Sequence, residues 1–236
     1  VSMGIITVMM IFGATSFSVH NNLWGRELKK IFSVEYRFYI LYIIIMASTL
    51  GVIFSSSRKT LIDITFHIIS AITTTGFQFI DIGTTSTTLK SVMILLMIVG
   101  GSSFSTSGGI KIIRFIITLK SIPWVTKKLS LPAKAITPLK IGDKALFEKD
   151  VIIAFLMIGL GILSIFISSL IFTLYGYSFI DSIFEISSAF GTAGMSTGIT
   201  EMNLPDPLKL ILNLEMVIGR VEIIPFLVFL KKIINR

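Results

Sequence analysis

The sequence predicts an all-α membrane protein built from repeated units, each a span, a short helix, a Thr/Gly loop and a second span. Three observations carry that expectation. Of 236 residues, 53% are hydrophobic and 14% charged, with a mean hydropathy of +0.89, whereas soluble domains carry about 25% charged residues. Two stretches, DITFHIISAITTTGF (Asp63 to Phe77) and DSIFEISSAFGTAGM (Asp181 to Met195), align without a gap. Both are flanked by apolar runs, and both are too short to cross a bilayer, which takes about 20 residues.

The opening 1–12 reads as the latter part of a span, and a chain that does not begin with Met is expected to have lost residues upstream. A full span is expected over Tyr36–Phe54, then a short helix from Asp63 to Ile72. Leu89–Gly100 is a shorter apolar run, followed by GGSSFSTSGG and then IKIIRFIITLK. That pattern reads as a membrane helix broken near its middle, which is tolerated only where the irregular backbone is buried or lines a wet cavity. A Pro-bearing, Lys-rich linker occupies Ile122–Asp150. A second span is expected over Val151–Tyr175, a second short helix over Asp181–Phe190, and a last span over Leu208–Leu230.

Internal similarity groups these elements. LKSVMILLMIVGG from Leu89 pairs with LKLILNLEMVIGR from Leu208, and MIFGATSFS (Met10 to Ser18) pairs with MIVGGSSFS (Met97 to Ser105). The chain therefore divides into the end of a preceding repeat with its connection (1–33), a complete repeat (34–121), a basic linker (122–150) and another complete repeat (151–236).

The formal charge of +8 does not call for nucleic acid. Sixteen of the 21 Lys and Arg residues fall within 26–37, 111–149 and 231–236, between or after the greasy segments. That is the positive-inside pattern. It makes the basic loops and the C-terminus cytoplasmic, so both short helices enter from the outside. With no cysteine there is neither a disulfide nor a thiolate metal site.

Asp63 and Asp181 stand where helix N-caps are expected. Each short helix then aims its partially negative C-terminal end into the protein. Thr73-Thr74-Thr75-Gly76 and Gly191-Thr192-Ala193-Gly194 come next, and their carbonyls can replace the hydration shell of a cation. A single Thr-Gly loop would be ordinary helix packing. Two at matching positions favour ion coordination.

Other residues divide between structure and function. An unpaired Arg220 in the last span costs roughly 2.5–3.5 kcal/mol on insertion scales. Glu222 and Glu215 are poorly spaced to pair with it along one helix, so a position facing a pore is expected, with a kink at Pro225 just beyond. The Gly101–Gly109 loop reads as a gate; it lacks phosphate-loop spacing. His67 and Glu185, at matching positions, read as hydrogen-bonding or packing residues. His20 is expected at an interface, with Lys111 and Arg114 reaching for the inner surface. A serine hydrolase using Ser105 or Ser107 with His67 or His20 lacks the GxSxG motif.

ITTTGF, GGSSFSTSGGIKIIRF, SSAFGTAGMSTGIT and GRVEI resemble the Trk/Ktr/HKT superfamily, specifically the bacterial and archaeal Trk potassium-uptake membrane subunit. The resemblance covers essentially the whole chain, as the end of the second and all of the third and fourth of that family's four pore repeats. It implies a potassium-channel-like arrangement of span, pore helix, filter loop and span. The filter would be Thr74, Thr75, Gly76 and Phe77 with Thr192, Ala193, Gly194 and Met195. The gate would be Arg220 with Gly101, Gly108 and Gly109. It also implies potassium as transported substrate rather than cofactor, a homodimer in the membrane lipid, and a cytosolic nucleotide-binding RCK regulatory subunit. Sodium or weakly selective cation transport, and a non-conducting membrane fragment, are the alternatives.

Overall fold

The computed structural model describes residues 2–25, 33–54, 58–132, 137–142 and 144–234. The basic positions at Arg26, Lys29, Lys30, Lys134 and Arg236 lie outside these. The chain opens with α1 (Ser2–Gly13) and α2 (Phe17–Trp24), which meet at 103°. Then come α3 (Val34–Phe54), α4 (Arg58–Ile72), a 3-10 turn (Ile82–Thr84), α5 (Thr87–Ile98) and α6 (Ile112–Leu129). A hairpin of β1 (Leu139–Ile141) and β2 (Lys144–Leu146) leads to α7 (Glu148–Leu174). The last elements are α8 (Phe179–Phe190), α9 (Asp206–Val221) and α10 (Ile223–Ile234). α3 and α7 are each long and apolar enough to cross a membrane, and the bent α1–α2 pair meets the same test as one unit.

The short helices are the interior of the fold. α8 packs on α5, α7 and α9, and α4 on α1, α3 and α5. Residues 66–72 of α4 and 184–190 of α8 are buried on every face, the mark of an element enclosed by others rather than one lying on a surface. Ile68 and Ile72 join Tyr39, Met93 and Met97 in one apolar cluster. Ile186 and Phe190 join Phe172, Leu208 and Leu212 in another. A fully buried side chain of this size contributes roughly 1.5–3 kcal/mol.

Several sequence expectations change. Asp63 and Asp181 are not N-caps. α4 begins upstream at Arg58, so Asp63 lies inside it. Ser178 caps α8, accepting from the Asp181 N–H and donating to its carboxylate, which makes Asp181 the third helical residue. The linker 122–150 is largely structured: α6 continues through Pro123 to Leu129, and the antiparallel hairpin pairs Leu139 with Leu146. Strand alternation drives that hairpin's packing, since Leu139 and Ile141 point into the core while Lys140 points out. The Trp124 indole then donates to the Thr137 carbonyl at 2.7 Å.

The last span is broken rather than kinked. Between α9 and α10, Glu222 takes φ 68° and ψ 145°. Pro225 has no N–H for the Val221 carbonyl and its ring clashes there, so the break falls three residues before the proline. Finally, Lys111 and Arg114 turn inward, Lys111 to the Ser107 carbonyl and Arg114 to Glu222.

Candidate functional site

The segments leaving α4 and α8 share one backbone design. Thr74 donates its N–H to the Ala71 carbonyl and Thr75 to that of Ser70; at the matching positions Thr192 donates to Ala189 and Ala193 to Ser188. These paired bonds close a helix end whose next residue is left-handed. Here that residue is threonine in both copies, with φ of 51° at Thr74 and 52° at Thr192. A β-branched residue is a genuine outlier there, costing of order 1–3 kcal/mol. Gly76 (81°) and Gly194 (84°) are positive again, and the residues between are not. Each strand thus alternates in handedness residue by residue. Gly76 is also where the strands meet, since a Cβ on it would lie 1.7 Å from the Ala193 carbonyl oxygen.

The flanking residues of these strands diverge. Phe77 is 51% exposed, whereas Met195 is 1% exposed and sits in the apolar cluster of the first repeat. So the second strand packs on the first unit.

Side chains on the short helices anchor the segments beyond the two strands. His67 Nδ1 lies 2.7 Å from the Asp63 carbonyl and must donate to it. That leaves Nε2 to accept from the Phe79 and Ile80 N–H groups at 3.2 and 3.3 Å, which defines a neutral imidazole. Glu185 does the corresponding work in the second unit. Its Oε1 accepts from Ser196 Oγ, Thr197 N and Thr197 Oγ1, and its Oε2 from Thr200 Oγ1, all within 2.6–2.9 Å.

Two contacts tie the units together. Gln78 and Ser196, themselves at matching positions, exchange hydrogen bonds of 2.9 and 3.0 Å. Lys90, buried, donates to the Gly83 carbonyl and pairs with Asp181 at 2.8 Å.

The broken helix lies directly beneath the strands. Val99 and Ile110 pair in parallel, so the loop leaves and returns at one point. At its far end, the Gly108 N–H donates to Thr74 Oγ1, and a Cβ on Gly108 would lie 2.4 Å from Thr192 Oγ1. Gly101 donates to Ser107 Oγ at 2.8 Å, and Gly109 is left-handed with φ 73°. Ser102 donates to the Ala14 carbonyl and Thr106 to that of Gly13, anchoring the loop to the α1–α2 bend. The Ser103 N–H donates to the carboxylate of Glu35 at the start of α3.

Arg220 donates to the Thr106 carbonyl and Lys111 to that of Ser107. Arg114 pairs with Glu222 at 3.2 Å. Lys111, Arg114, Arg220 and Glu222 line one cavity of about 420 Å³ beneath the loop. Three cations against one carboxylate make its wall net positive. Ser105 and Ser107 bond each other at 2.8 Å, and the hydrogen bonds of the His67 and His20 ring nitrogens go to backbone groups. No serine–histidine nucleophile is assembled among the described residues.

Sequence reasoning missed the Gln78–Ser196 exchange, the Thr74–Gly108 contact and the Glu35 anchor. The repeat alignment carried a usable signal for the first, because both partners lie two residues beyond their glycine. Nothing local marked the other two.

Strained, alternating strands at the ends of two buried half-length helices thus lie over a looped-out helix with a basic lining. The cation transport protein family TrkH matches residues 39–236, and the chain belongs to that family. It is 35% identical over 224 residues to an uncharacterized cation transporter of Methanocaldococcus jannaschii, covering 94% of this chain and 46% of the relative. It is 29% identical to the Trk system potassium uptake protein TrkH of Halomonas elongata (93% and 47% covered) and 28% identical to the Ktr system potassium uptake protein D of Bacillus subtilis (94% and 51%). In fold it is similar to the crystal structure of the potassium transporter TrkH from Vibrio parahaemolyticus, with a TM-score of 0.83 at 20% identity over 97% of this chain and 51% of that one. The chain spans about half the length of these proteins.

Proposed function

We propose that this chain supplies two of the four filter strands of a potassium-uptake pore. The alternation of handedness in 73–77 and 191–195 carries the reading. In an ordinary strand successive carbonyls point to opposite sides; alternating left- and right-handed residues turn them to a common side. A dehydrated cation is then held by backbone oxygens of Thr74, Thr75, Gly76, Thr192, Ala193 and Gly194, with Met195 packed behind the second strand and Phe77 at the exposed outer end of the first. The C-terminal ends of α4 and α8 add negative potential from behind.

The inner loop with Gly101, Gly108 and Gly109 is the gate, and Arg220 holds it closed. A guanidinium in the path repels a passing cation, while its bond to the Thr106 carbonyl keeps the loop in place. Opening requires the loop to leave Arg220. The strands face outward and the hairpin and C-terminus face the cytoplasm, in keeping with the basic residues there. The assembled protein is a homodimer in the lipid, regulated from below by a cytosolic nucleotide-binding RCK subunit.

Rubidium, potassium and sodium flux into proteoliposomes of the full-length protein tests this reading. Potassium and rubidium should pass and sodium should not. Equal passage of sodium would establish the weakly selective alternative, and no flux under any condition a non-conducting subunit.

A further inference from the structure

Glu215, on α9, takes no part in the filter or the gate, yet it is only 2% exposed. Its Oε1 accepts from both Ser164 Oγ and Ser168 Oγ at 2.6 Å. Those serines lie one turn apart on α7 and so present their hydroxyls to one place. Its Oε2 is buried with no hydrogen-bond partner among the described residues.

Packing does not require an acid here. In the alignment of LKSVMILLMIVGG with LKLILNLEMVIGR, the residue matching Glu215 is Leu96, which is also 2% exposed. A buried carboxylate with an orphaned oxygen is costly. A neutral carboxyl carrying its hydrogen on Oε2 costs less, because no charge is buried and its carbonyl oxygen still accepts from the two hydroxyl donors.

We propose that Glu215 is a proton-binding site, taking up and releasing a proton at Oε2 while the two serines hold Oε1. No counter-charge among the described residues is committed to it. Of the elements packed against it, α7 carries Glu148, Lys149 and Asp150, with Glu148 bound to Lys128 and Asp150 to the Phe147 N–H. α8 carries Asp181 and Glu185, both already engaged. α9 itself carries Asp206 and Lys209, paired together, and Arg220, on the loop. α10 carries Lys231 and Lys232. Ser164 and Ser168 are the side chains that bond its carboxyl group among the described residues.

The neighbours of Glu215 on α9 border the second strand. Leu212 and Met216, either side of Glu215, line a cavity with Thr192 and Gly194 behind the second strand. A free carboxylate there attracts cations and a protonated one does not, so uptake should fall as the solution is acidified. This last step rests on the cation-transport reading; proton binding does not.

The test is infrared difference spectroscopy on purified full-length protein between acidic and alkaline buffer. The wild type should show a carboxylic C=O band, shifted in deuterium oxide, that is lost in Glu215→Gln and in Glu215→Leu. The Leu variant keeps the side chain found at the matching position of the other unit, and Ser164→Ala with Ser168→Ala should displace the titration. An unchanged band in both Glu215 variants overturns the proposal. A band that responds to sodium at constant pH instead of to protons also overturns it. In proteoliposomes, the acid dependence of rubidium uptake should flatten in Glu215→Gln. A protein that shows the band but carries no flux would refute the transport reading and leave the proton site standing.

Discussion

After α4, the segment beyond the alternating strand hangs on His67, a neutral ring accepting two backbone N–H groups. After α8, the corresponding segment hangs on Glu185, a carboxylate accepting four bonds, three of them from hydroxyls. The strands themselves have the same signs of φ, the same helix-closing bonds and the same left-handed threonine. So the conformation of the strand is dictated by its own helix end and by the Thr-x-Gly pattern. The acceptor behind it is free to differ. The inner halves diverge further: the first unit breaks its helix with a loop running from Val99 to Lys111, the second at the single residue Glu222. One unit therefore supplies the looped-out segment and the other the arginine that bonds to it.

The largest expected effect removes what the strands share. Gly76→Asp places a side chain at a positive φ where even a Cβ meets the Ala193 carbonyl. In ion-replacement flux measurements on the full-length protein, potassium selectivity should be abolished. Unchanged selectivity would remove both strands from the filter.

Next comes what they do not share. Glu185→Ala orphans four donors and should lower stability by about 3 kcal/mol, while His67→Ala orphans two and should cost about 2 kcal/mol. His67→Gln, which keeps an acceptor, should cost less than His67→Ala. Unfolding midpoints in detergent rank the three, and equal losses at the two sites would show that the acceptors do not carry the difference.

The inner halves are compared through Arg220→Ala. Removing the positive barrier should raise basal cation flux about tenfold, equivalent to ~1.4 kcal/mol. Shortening the Gly101–Gly109 loop should do the same without adding to it. Lower flux in a correctly inserted Arg220→Ala protein would make the residue a structural anchor instead.

The smallest effect lies at the seam. Lys90→Met should cost about 1 kcal/mol, because Asp181 keeps its Ser178 bond and partial hydration. Burial pushes the Asp181 carboxyl up, but the Lys90 and Ser178 hydrogen bonds outweigh it and hold the group below the usual carboxylate range. Its stabilising contribution is therefore complete above the unfolded value of about 3.9 and disappears as pH falls through the lowered folded value. Lys90→Met should be more destabilising near neutrality than in strong acid, where only the bond to the Gly83 carbonyl is left to lose, as thermal melts across pH would show.

The ends of the short helices at Ile72 and Phe190, the glycines two residues beyond the left-handed threonines and the looped-out helix after Gly100 could all be read from the chain. They depend on local bonding and on patterns written twice, and repetition separates such patterns from chance. The N-caps were misplaced because the first short helix gains an extra turn, which its polar opening residues do not announce. The last span ended earlier than expected because a proline acts on the carbonyl four residues before it. Pairings across the fold were decided only in three dimensions. Arg114 with Glu222, Gly108 with Thr74, Gln78 with Ser196 and Glu215 with the α7 serines each join residues on separate elements. Which of them meet depends on how each helix is rotated and how far it slides along its neighbour. Those quantities are set by the packing of the whole interior, and no short stretch of sequence contains them.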